Sequence, residues 1–188
     1  IAIDGKTLRR SFDRANSKAA IHMVTAWATA NQISLGQVVV DDKSNEITAI
    51  PELLKLLEIK GSLVTIDAMG CQVKIAGQII AQNADYVLAV KGNQPTLHAG
   101  LVAHFNDYLE NDNACEGRGH YHTSEKAHGR ETGRSYWVCK VPADLPDRTR
   151  RPGLKAIGMT INRTIRDGKE SLLSLIHISE PTRLSVIS

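Results

Sequence analysis

Several features that define common protein classes are scarce or absent in this sequence of 188 residues. Its three cysteines, Cys71, Cys115 and Cys139, are too few and too scattered for a disulfide framework, so we expect buried free thiols. No stretch approaches the roughly 18 to 20 consecutive apolar residues that span a bilayer, and there is no secretory signal sequence. These absences argue against a disulfide-stabilised secreted protein and a helical membrane protein. They predict a cytoplasmic protein with no membrane partner.

What the sequence does contain is the composition of an ordinary globular protein. Hydrophobic residues make up 42% of the chain and charged residues 23%, and the length is sufficient for one domain with a sizeable core. The formal net charge is +3. Such mild basicity permits a polyanionic partner but does not require one. Composition alone therefore predicts only a cytosolic α/β domain.

Apolar periodicity along the chain alternates between the patterns of strands and helices. The predicted strands cover residues 1–4, 21–29, 32–40, 63–66 and 86–90, and the predicted helices cover residues 46–60, 71–83 and a segment opened by Pro95. This order is typical of a mixed sheet covered by helices, in which strands separated by a helix run parallel. Residues 111–135 predict a loop or a strand edge, and residues 135–141 and 154–165 predict further strands. We expect the chain to be truncated at both ends.

Two of the predicted strands end in the same way. Ile1–Ile3 leads into Asp4 and Val64–Ile66 leads into Asp67, and each acid is followed by a small residue. In open α/β sheets the carboxyl ends of the strands form the edge where ligands bind. If the two strands are neighbours, the two carboxylates repel each other, and a divalent cation relieves that repulsion. The pattern therefore predicts a metal site for phosphoryl transfer, although an Asp after a strand also caps turns.

Asp41 and Asp42 are the alternative acids, because they also follow an apolar run. They continue directly into the polar entry of the helix predicted at residues 46–60. We therefore interpret them as turn and cap residues, and expect them to lie farther from Asp4 than Asp67 does.

Five ordered blocks of the sequence resemble signature blocks of one group of insertion-sequence transposases. The blocks are Ile3–Arg9, Ser44–Pro51, Val64–Gln72, Ala84–Gln94 and His128–Glu131. The group is the ISAs-type transposases, which include the H-repeat-associated proteins found beside Rhs elements. The resemblance runs from residue 1 to about residue 170. It identifies residues 1–170 as part of the catalytic domain of a DDE-type transposase.

The resemblance implies an α/β fold of the RNase H-like type, a mixed sheet flanked by helices. It implies that Asp4 and Asp67 are the first two acids of the catalytic DDE triad and that they bind Mg²⁺ or Mn²⁺. The implied activity is cleavage and transfer of DNA strands, with transposon ends and target DNA as partners. The implied location is the bacterial cytoplasm, in association with the nucleoid. The full-length protein could form a homo-oligomer.

The sequence departs from the family pattern at the third acid. Such families carry a Glu on a downstream helix within a block rich in His and Trp, and that block does not occur here. Glu131 is the local candidate, but its His-Gly-Arg-Glu context predicts a loop rather than a helix. We therefore expect the chain as it stands to be inactive.

A basic cluster follows Asp4 closely in the sequence. It consists of Lys6, Arg9, Arg10 and Arg14. Such a cluster could neutralise DNA phosphates, and the resemblance to a DNA-cutting enzyme favours that role for its first three members. A solvated polar face is the alternative interpretation.

A second candidate DNA contact is the segment that ends the strand predicted at residues 86–90. Lys91 could contact a phosphate, and Gly92 would let the backbone approach DNA closely. Asn93 is the third member of this segment, and we include it with Lys91 among the candidate DNA-binding residues. The alternative is a plain strand-to-helix turn in which Asn93 caps the helix opened by Pro95.

The carboxyl-terminal stretch has a different character. Residues 173–183 resemble the translation of a transposase-based sequencing-library adapter, so we interpret residues 171–188 as a non-native tail. Such a tail is expected to make few contacts, and its deletion is expected to leave the melting temperature almost unchanged. A genuine strand is the alternative, since the Leu and Ile content would suit one.

Two other functions remain open at this point. An RNase H-like nuclease would hydrolyse DNA without joining it. A non-catalytic DNA-binding or decayed accessory domain would bind DNA without any need for Asp4, Asp67 or metal.

Overall fold

The computed structural model describes residues 1–8, 11, 21–40, 45–111, 119–127, 129–167 and 169–179. Several residues of the sequence predictions lie outside these ranges: Arg9, Arg10, Arg14, Asp41, Asp42, Cys115 and residues 180–188. The chain divides into two compact units, residues 1–88 and residues 89–188. The expected division between a catalytic part at 1–170 and a foreign tail at 171–188 stays a prediction.

The first unit is built on a mixed sheet of five strands in the order β3-β2-β1-β4-β5. The strands are β1 (Ala2–Thr7), β2 (His22–Ala28), β3 (Ile33–Val40), β4 (Leu63–Ile66) and β5 (Asp85–Val90). The first three form an antiparallel meander, whereas β4 runs parallel to β1 and β5 parallel to β4. Parallel pairing follows from the helices that separate these strands in sequence. The expected α/β class and RNase H-like fold are confirmed.

Two helices cover one face of this sheet. They are α1 (Glu46–Lys55) and α2 (Val73–Ala81), both shorter than the sequence predicted. The apolar stripe of α1 includes Leu53 and Leu54, which are both fully buried. Gly36 of β3 faces this stripe, since a Cβ there would lie 3.4 Å from Leu53. The core of the first unit therefore lies between the sheet and these two helices.

The second unit combines one helix with a four-stranded antiparallel sheet. The helix is α3 (Pro95–Asn111), and the strands are β6 (Gly119–Ala127), β7 (Arg130–Lys140), β8 (Ala156–Arg166) and β9 (Lys169–Ser179). Each strand pairs with the next one in sequence. The strands predicted at 135–141 and 154–165 are confirmed. Within residues 111–135, the described part contains β6 at the edge of the sheet, which agrees with the strand-edge alternative rather than with a loop. The sequence did not decide between the two because β6 is polar on both faces and shows no apolar alternation.

One side of the second sheet packs on α3. The four-residue spacing of Leu97, Leu101, Phe105 and Leu109 predicts a buried stripe, and the first three are buried. Leu109 is 50% exposed, so the prediction is wrong for the last member. The ring of His104 reaches the thiol of Cys139 on β7, with Nε2 and Sγ 4.0 Å apart. Cys139 is fully buried, as is Cys71 in the first unit, which confirms the expected buried thiols at both positions. In the described part of the chain, no helix is both long and apolar enough to cross a bilayer.

The expectation that the tail makes few contacts is wrong for residues 173–179. These residues belong to β9, which pairs with β8 over the whole length of both strands. Ile176 is 6% exposed and Ile178 is fully buried. The physical reason is that a β-forming run with alternating large apolar side chains extends the antiparallel ladder and covers the core beside α3.

This packing gives a direct prediction for β9. Replacing Ile178 by alanine should lower the free energy of unfolding by about 2 to 4 kcal/mol, because a buried aliphatic side chain is lost and a cavity remains. The matched control is Leu173→Ala on the same strand, where the side chain is 56% exposed and little should change. Urea unfolding of the two variants provides the comparison. Equal, small effects would mean that β9 does not contribute to the core.

Candidate functional site

The first two predicted acids follow paired residues on adjacent strands. In the parallel pair of β1 and β4, Ala2 lies opposite Thr65 and Ile3 lies opposite Ile66. Asp4 is the next residue of β1 and Asp67 directly follows β4, and the backbones of adjacent strands are about 4.8 Å apart in a regular sheet. The register thus agrees with the expected proximity of the two acids. Their catalytic and metal-binding roles stay a prediction.

The position of Asp4 within β1 differs from the expectation. The sequence predicted a strand that closes at Gly5, but β1 continues to Thr7, with Asp4 paired to Thr25 of β2. The antiparallel neighbour β2 supplies hydrogen-bonding partners along this extension, so the glycine does not end the strand. The parallel neighbour β4, in contrast, ends beside Asp4. Asp4 therefore lies within β1, next to the carboxyl end of β4.

The two acids share the face of the sheet opposite α1. Ile3 and Ile66 are 3% and 5% exposed, and Ile66 lies close to Ile50 of α1 across Gly70. Because successive side chains of a strand point to opposite faces, Asp4 projects to the other side. Asp67 continues in an extended conformation with φ −68° and ψ −178°. Both carboxylates are exposed to solvent, where a metal ion and a phosphate could reach them.

Asp67 also caps the turn that follows its strand. Its Oδ1 accepts a hydrogen bond of 3.1 Å from the backbone N–H of Met69, at the start of a short 3₁₀ turn (Ala68–Gly70). The capping role considered from the sequence is therefore present in the structure. It does not compete with metal binding, because a carboxylate has two oxygens and several lone pairs. The cap fixes the direction of the carboxylate at the end of β4.

A polar network on the opposite face supports β1 beyond Asp4. Oγ1 of Thr7 lies 2.8 Å from Nδ1 of His22, and Nε2 of the same ring lies 2.7 Å from Oε1 of Glu46. The carboxylate of Glu46, at the first position of α1, rests directly over Gly5, where a Cβ would meet its carboxyl group. The network therefore joins β1, β2 and the start of α1 around the residue that follows Asp4. Sequence reasoning missed it because its members are far apart in the chain.

The candidate DNA-binding residues fall into three groups. Lys6 is exposed on β1 and shares the face of Asp4, whereas Arg9 and Arg10 lie outside the described residues. Lys91 and Asn93 are exposed in the turn after β5 and belong to the second unit. This placement is compatible with contact to DNA in each described case, and the DNA-binding role stays a prediction.

The turn that contains Lys91 has a buried support. The residue directly before α3 is Gln94 rather than Asn93, and its carbonyl accepts a hydrogen bond from the N–H of His98. The side-chain oxygen of Gln94 accepts a 2.8 Å hydrogen bond from the guanidinium of Arg151, which is only 4% exposed. A buried arginine thus fixes the end of this turn. The turn-like context of Arg151 in the sequence carried no signal of that burial.

No third acid joins the pair within the described residues. Glu131 lies on β7 of the second unit, opposite Lys126 on β6 and Ile165 on β8, rather than in the loop that the sequence predicted. Across the described ranges, no group of three or more His, Cys, Asp or Glu side chains is arranged to hold a metal ion. What the structure shows is a pair of carboxylates.

The strand order, with Asp4 within the first strand and Asp67 directly after the fourth, agrees with the expectation of a DDE transposase domain. Residues 1–160 match the family described as "Transposase DDE domain". The match covers most of the chain, and the chain belongs to this family. The identification made from the sequence blocks is therefore confirmed.

Within the family, the chain is similar to proteins of the H-repeat group. It is 47% identical over 163 residues to the "H repeat-associated putative transposase YhhI" and 48% identical over 149 residues to the corresponding YbfD protein, both of Escherichia coli strain K12. These alignments cover 86% and 79% of this chain, but 42% and 58% of the relatives. The chain thus spans about half the length of the curated relatives it matches. Among solved structures, it is similar to the cryo-EM structure of the piggyBac transposase synaptic complex with hairpin DNA, with 10% identity and a TM-score of 0.46 over 100% of this chain and 34% of that chain.

Proposed function

We propose that this chain is part of a transposase that cuts and joins DNA strands in a reaction dependent on Mg²⁺ or Mn²⁺. Asp4 and Asp67 are the catalytic carboxylates, and they bind the metal. The observation that carries the proposal is the strand register, in which Ile3 lies opposite Ile66 and the two acids follow directly. Membership of the DDE transposase family supports the same assignment.

The chemistry of the pair fits a hard divalent cation. Mg²⁺ and Mn²⁺ prefer oxygen ligands, and Mg²⁺ is typically held by one or two carboxylates together with water and phosphate oxygens. When bound, such ions activate an attacking water or 3′-hydroxyl and stabilise the leaving oxygen. The chain's own contribution is to hold the two carboxylates side by side and exposed. The pairing of Asp4 with Thr25 and the cap between Asp67 and Met69 provide that rigidity.

The third acid of the triad is proposed to lie in the part of the relatives that this chain does not span. The isolated chain should therefore bind the metal poorly and fail to cut DNA. Activity is expected of the full-length protein, which would act on transposon ends and target DNA in the bacterial nucleoid. That protein could act as a homo-oligomer.

Contact with DNA is proposed for Lys6, Arg9 and Arg10, which follow Asp4 in the sequence, and for Lys91 and Asn93 after β5. These residues would bind phosphates, which gives affinity without sequence preference. Binding by the isolated chain should accordingly be weak, non-specific and steeply dependent on salt.

A capture assay tests the proposed reaction. The full-length protein is incubated with Mg²⁺, a labelled duplex that carries the inverted repeats of its own element, and a target plasmid. A transposase should yield labelled plasmid, because the freed 3′-hydroxyl attacks a new phosphodiester. Cut ends without labelled plasmid would identify a nuclease instead. Binding without any cutting would favour a non-catalytic accessory protein.

A further inference from the structure

The four-stranded sheet of the second unit has two faces of different charge. Four exposed cations lie toward one end of the face opposite α3: Arg130 and Arg134 on β7, Arg166 on β8 and Lys169 on β9. Lys140 of β7 shares this face at its other end. We call the first four residues the basic face. Their common orientation follows from the register, because directly opposed residues of antiparallel strands share a face and every second residue of one strand does so too.

Three of the cations form a single row across the sheet. Arg130 lies opposite Arg166, and Arg166 lies opposite Lys169. With strands about 4.8 Å apart, the row spans roughly 10 Å. Like charges directly opposite one another destabilise a sheet. The row is thus a stability liability in the free protein, and an anion bound across it would relieve the repulsion.

The neighbours of the row neutralise it only in part. Asp167 lies 3.8 Å from Arg166, with both side chains largely exposed, and such a pair contributes little in water. Glu125 on β6 is the other acid of this face among the described residues. Glu125 lies in the next row, opposite Thr132, and the rest of that row consists of hydroxyl side chains. Thr132 accepts a 3.1 Å hydrogen bond from Nε of Arg130. The surroundings therefore offer hydrogen-bond donors but few opposing charges.

The opposite face of the same strands is balanced. Lys126 lies opposite Glu131, and Arg163 forms a two-pronged ion pair with Glu170 at 2.7 and 3.2 Å. The hydrogen bond and the charge of Arg163 lower the pKa of Glu170. The two faces thus belong to the same strands but differ in how many of their cations have acidic partners. A general need for surface charge does not explain that asymmetry.

We infer that the basic face, Arg130, Arg134, Arg166 and Lys169, binds the sugar-phosphate backbone of duplex DNA. Three of its four cations are arginines, whose planar guanidinium groups match phosphate oxygens in two-pronged hydrogen bonds. Backbone contacts position a protein on DNA without reading its sequence. The choice of DNA as the polyanion rests on the proposed function. The difference in charge between the two faces of the sheet is independent of it.

The test compares two charge-matched double variants in the same sheet. Arg130→Gln with Arg166→Gln removes two cations from the basic face, and Lys126→Gln with Arg163→Gln removes two from the balanced face. Binding of the full chain to a labelled random duplex is measured by fluorescence anisotropy in EDTA, over a range of salt concentrations. The basic-face variant should bind on the order of tenfold more weakly at low salt. Its slope of log K against log salt should fall by about two, because two fewer phosphates are neutralised.

Each outcome decides the inference. The balanced-face variant should keep the wild-type slope, and an equal loss in both variants would show that only net charge matters and would overturn the proposal. An unchanged basic-face variant, or tighter binding of polyglutamate than of DNA, would overturn it as well. Thermal melting checks the fold, and Lys169→Gln, at the rim of the row, is the fallback variant. Because the assay contains no metal, its failure is independent of whether Asp4 and Asp67 catalyse cutting.

Discussion

Replacing Asp4 or Asp67 by asparagine in the full-length protein is expected to abolish DNA cutting while leaving the fold intact. Each substitution removes a metal-binding charge and keeps the shape of the side chain. The loss should be roughly a thousandfold or more, the scale seen when a group that stabilises charge in the transition state is removed. The fold should persist because both side chains are exposed. The amide oxygen of an asparagine at position 67 can still accept the hydrogen bond from Met69.

The matched control is Asp144→Asn, an exposed acid in the loop between β7 and β8. Initial rates of cleavage of a duplex with Mg²⁺ and with Mn²⁺ are measured for the three variants, and melting temperatures for the same samples. The control should retain the wild-type rate. If either Asp4→Asn or Asp67→Asn cuts at a rate close to the control, that residue does not belong to the catalytic set.

Gly70→Ala is expected to have the largest effect on stability among the glycine substitutions of the first unit. A Cβ at this position would lie 2.2 Å from Cγ2 of Ile66 and 3.2 Å from Cδ1 of Ile50. Neither side chain can yield easily, because Ile66 is β-branched and both are buried. Overpacking of this kind lowers the free energy of unfolding by about 1 to 3 kcal/mol, and we expect the upper end of that range.

The control for this prediction is Gly92→Ala, where a Cβ would have nothing within 4 Å. Urea unfolding of the two variants should separate them clearly, with Gly92→Ala close to the wild type. A Gly70→Ala protein as stable as the Gly92→Ala protein would mean that the turn after β4 is looser than the structure shows. Since Gly70 closes the turn that Asp67 caps, the same substitution should also disturb the carboxylate pair.

The succession of strands and helices along the first unit could be predicted from the sequence because its signals are local. Each apolar run is short, is bounded by turn residues, and alternates with a helical pattern. The end of β1 could not be predicted in this way. Gly5 has the appearance of a strand end in the sequence, and only the pairing of β1 with β2 shows that the strand continues. Pairing between distant segments is a tertiary property.

The same distinction between local patterns and contacts of distant segments applies to the candidate site. Asp4 and Asp67 could be singled out because each follows a buried run, which is a local pattern. The link between His22 and Glu46 joins residues 24 positions apart, and neither stands out in its own segment. The basic face depends on the register of three strands, which alternate in polar residues and give no local sign of which side chains align.

Glu46 and Gly5 cannot change independently of each other. The carboxyl group of Glu46 occupies the space where a side chain at position 5 would begin. A larger residue at position 5 is therefore compatible with this fold only if the carboxyl group of Glu46 moves aside or the residue at position 46 is shorter, and either change gives up the present contact with His22. Gly5, beside the first acid, and Glu46, the first residue of α1, are therefore sterically coupled. Substitution next to Asp4 is constrained by a residue on the opposite face of the sheet.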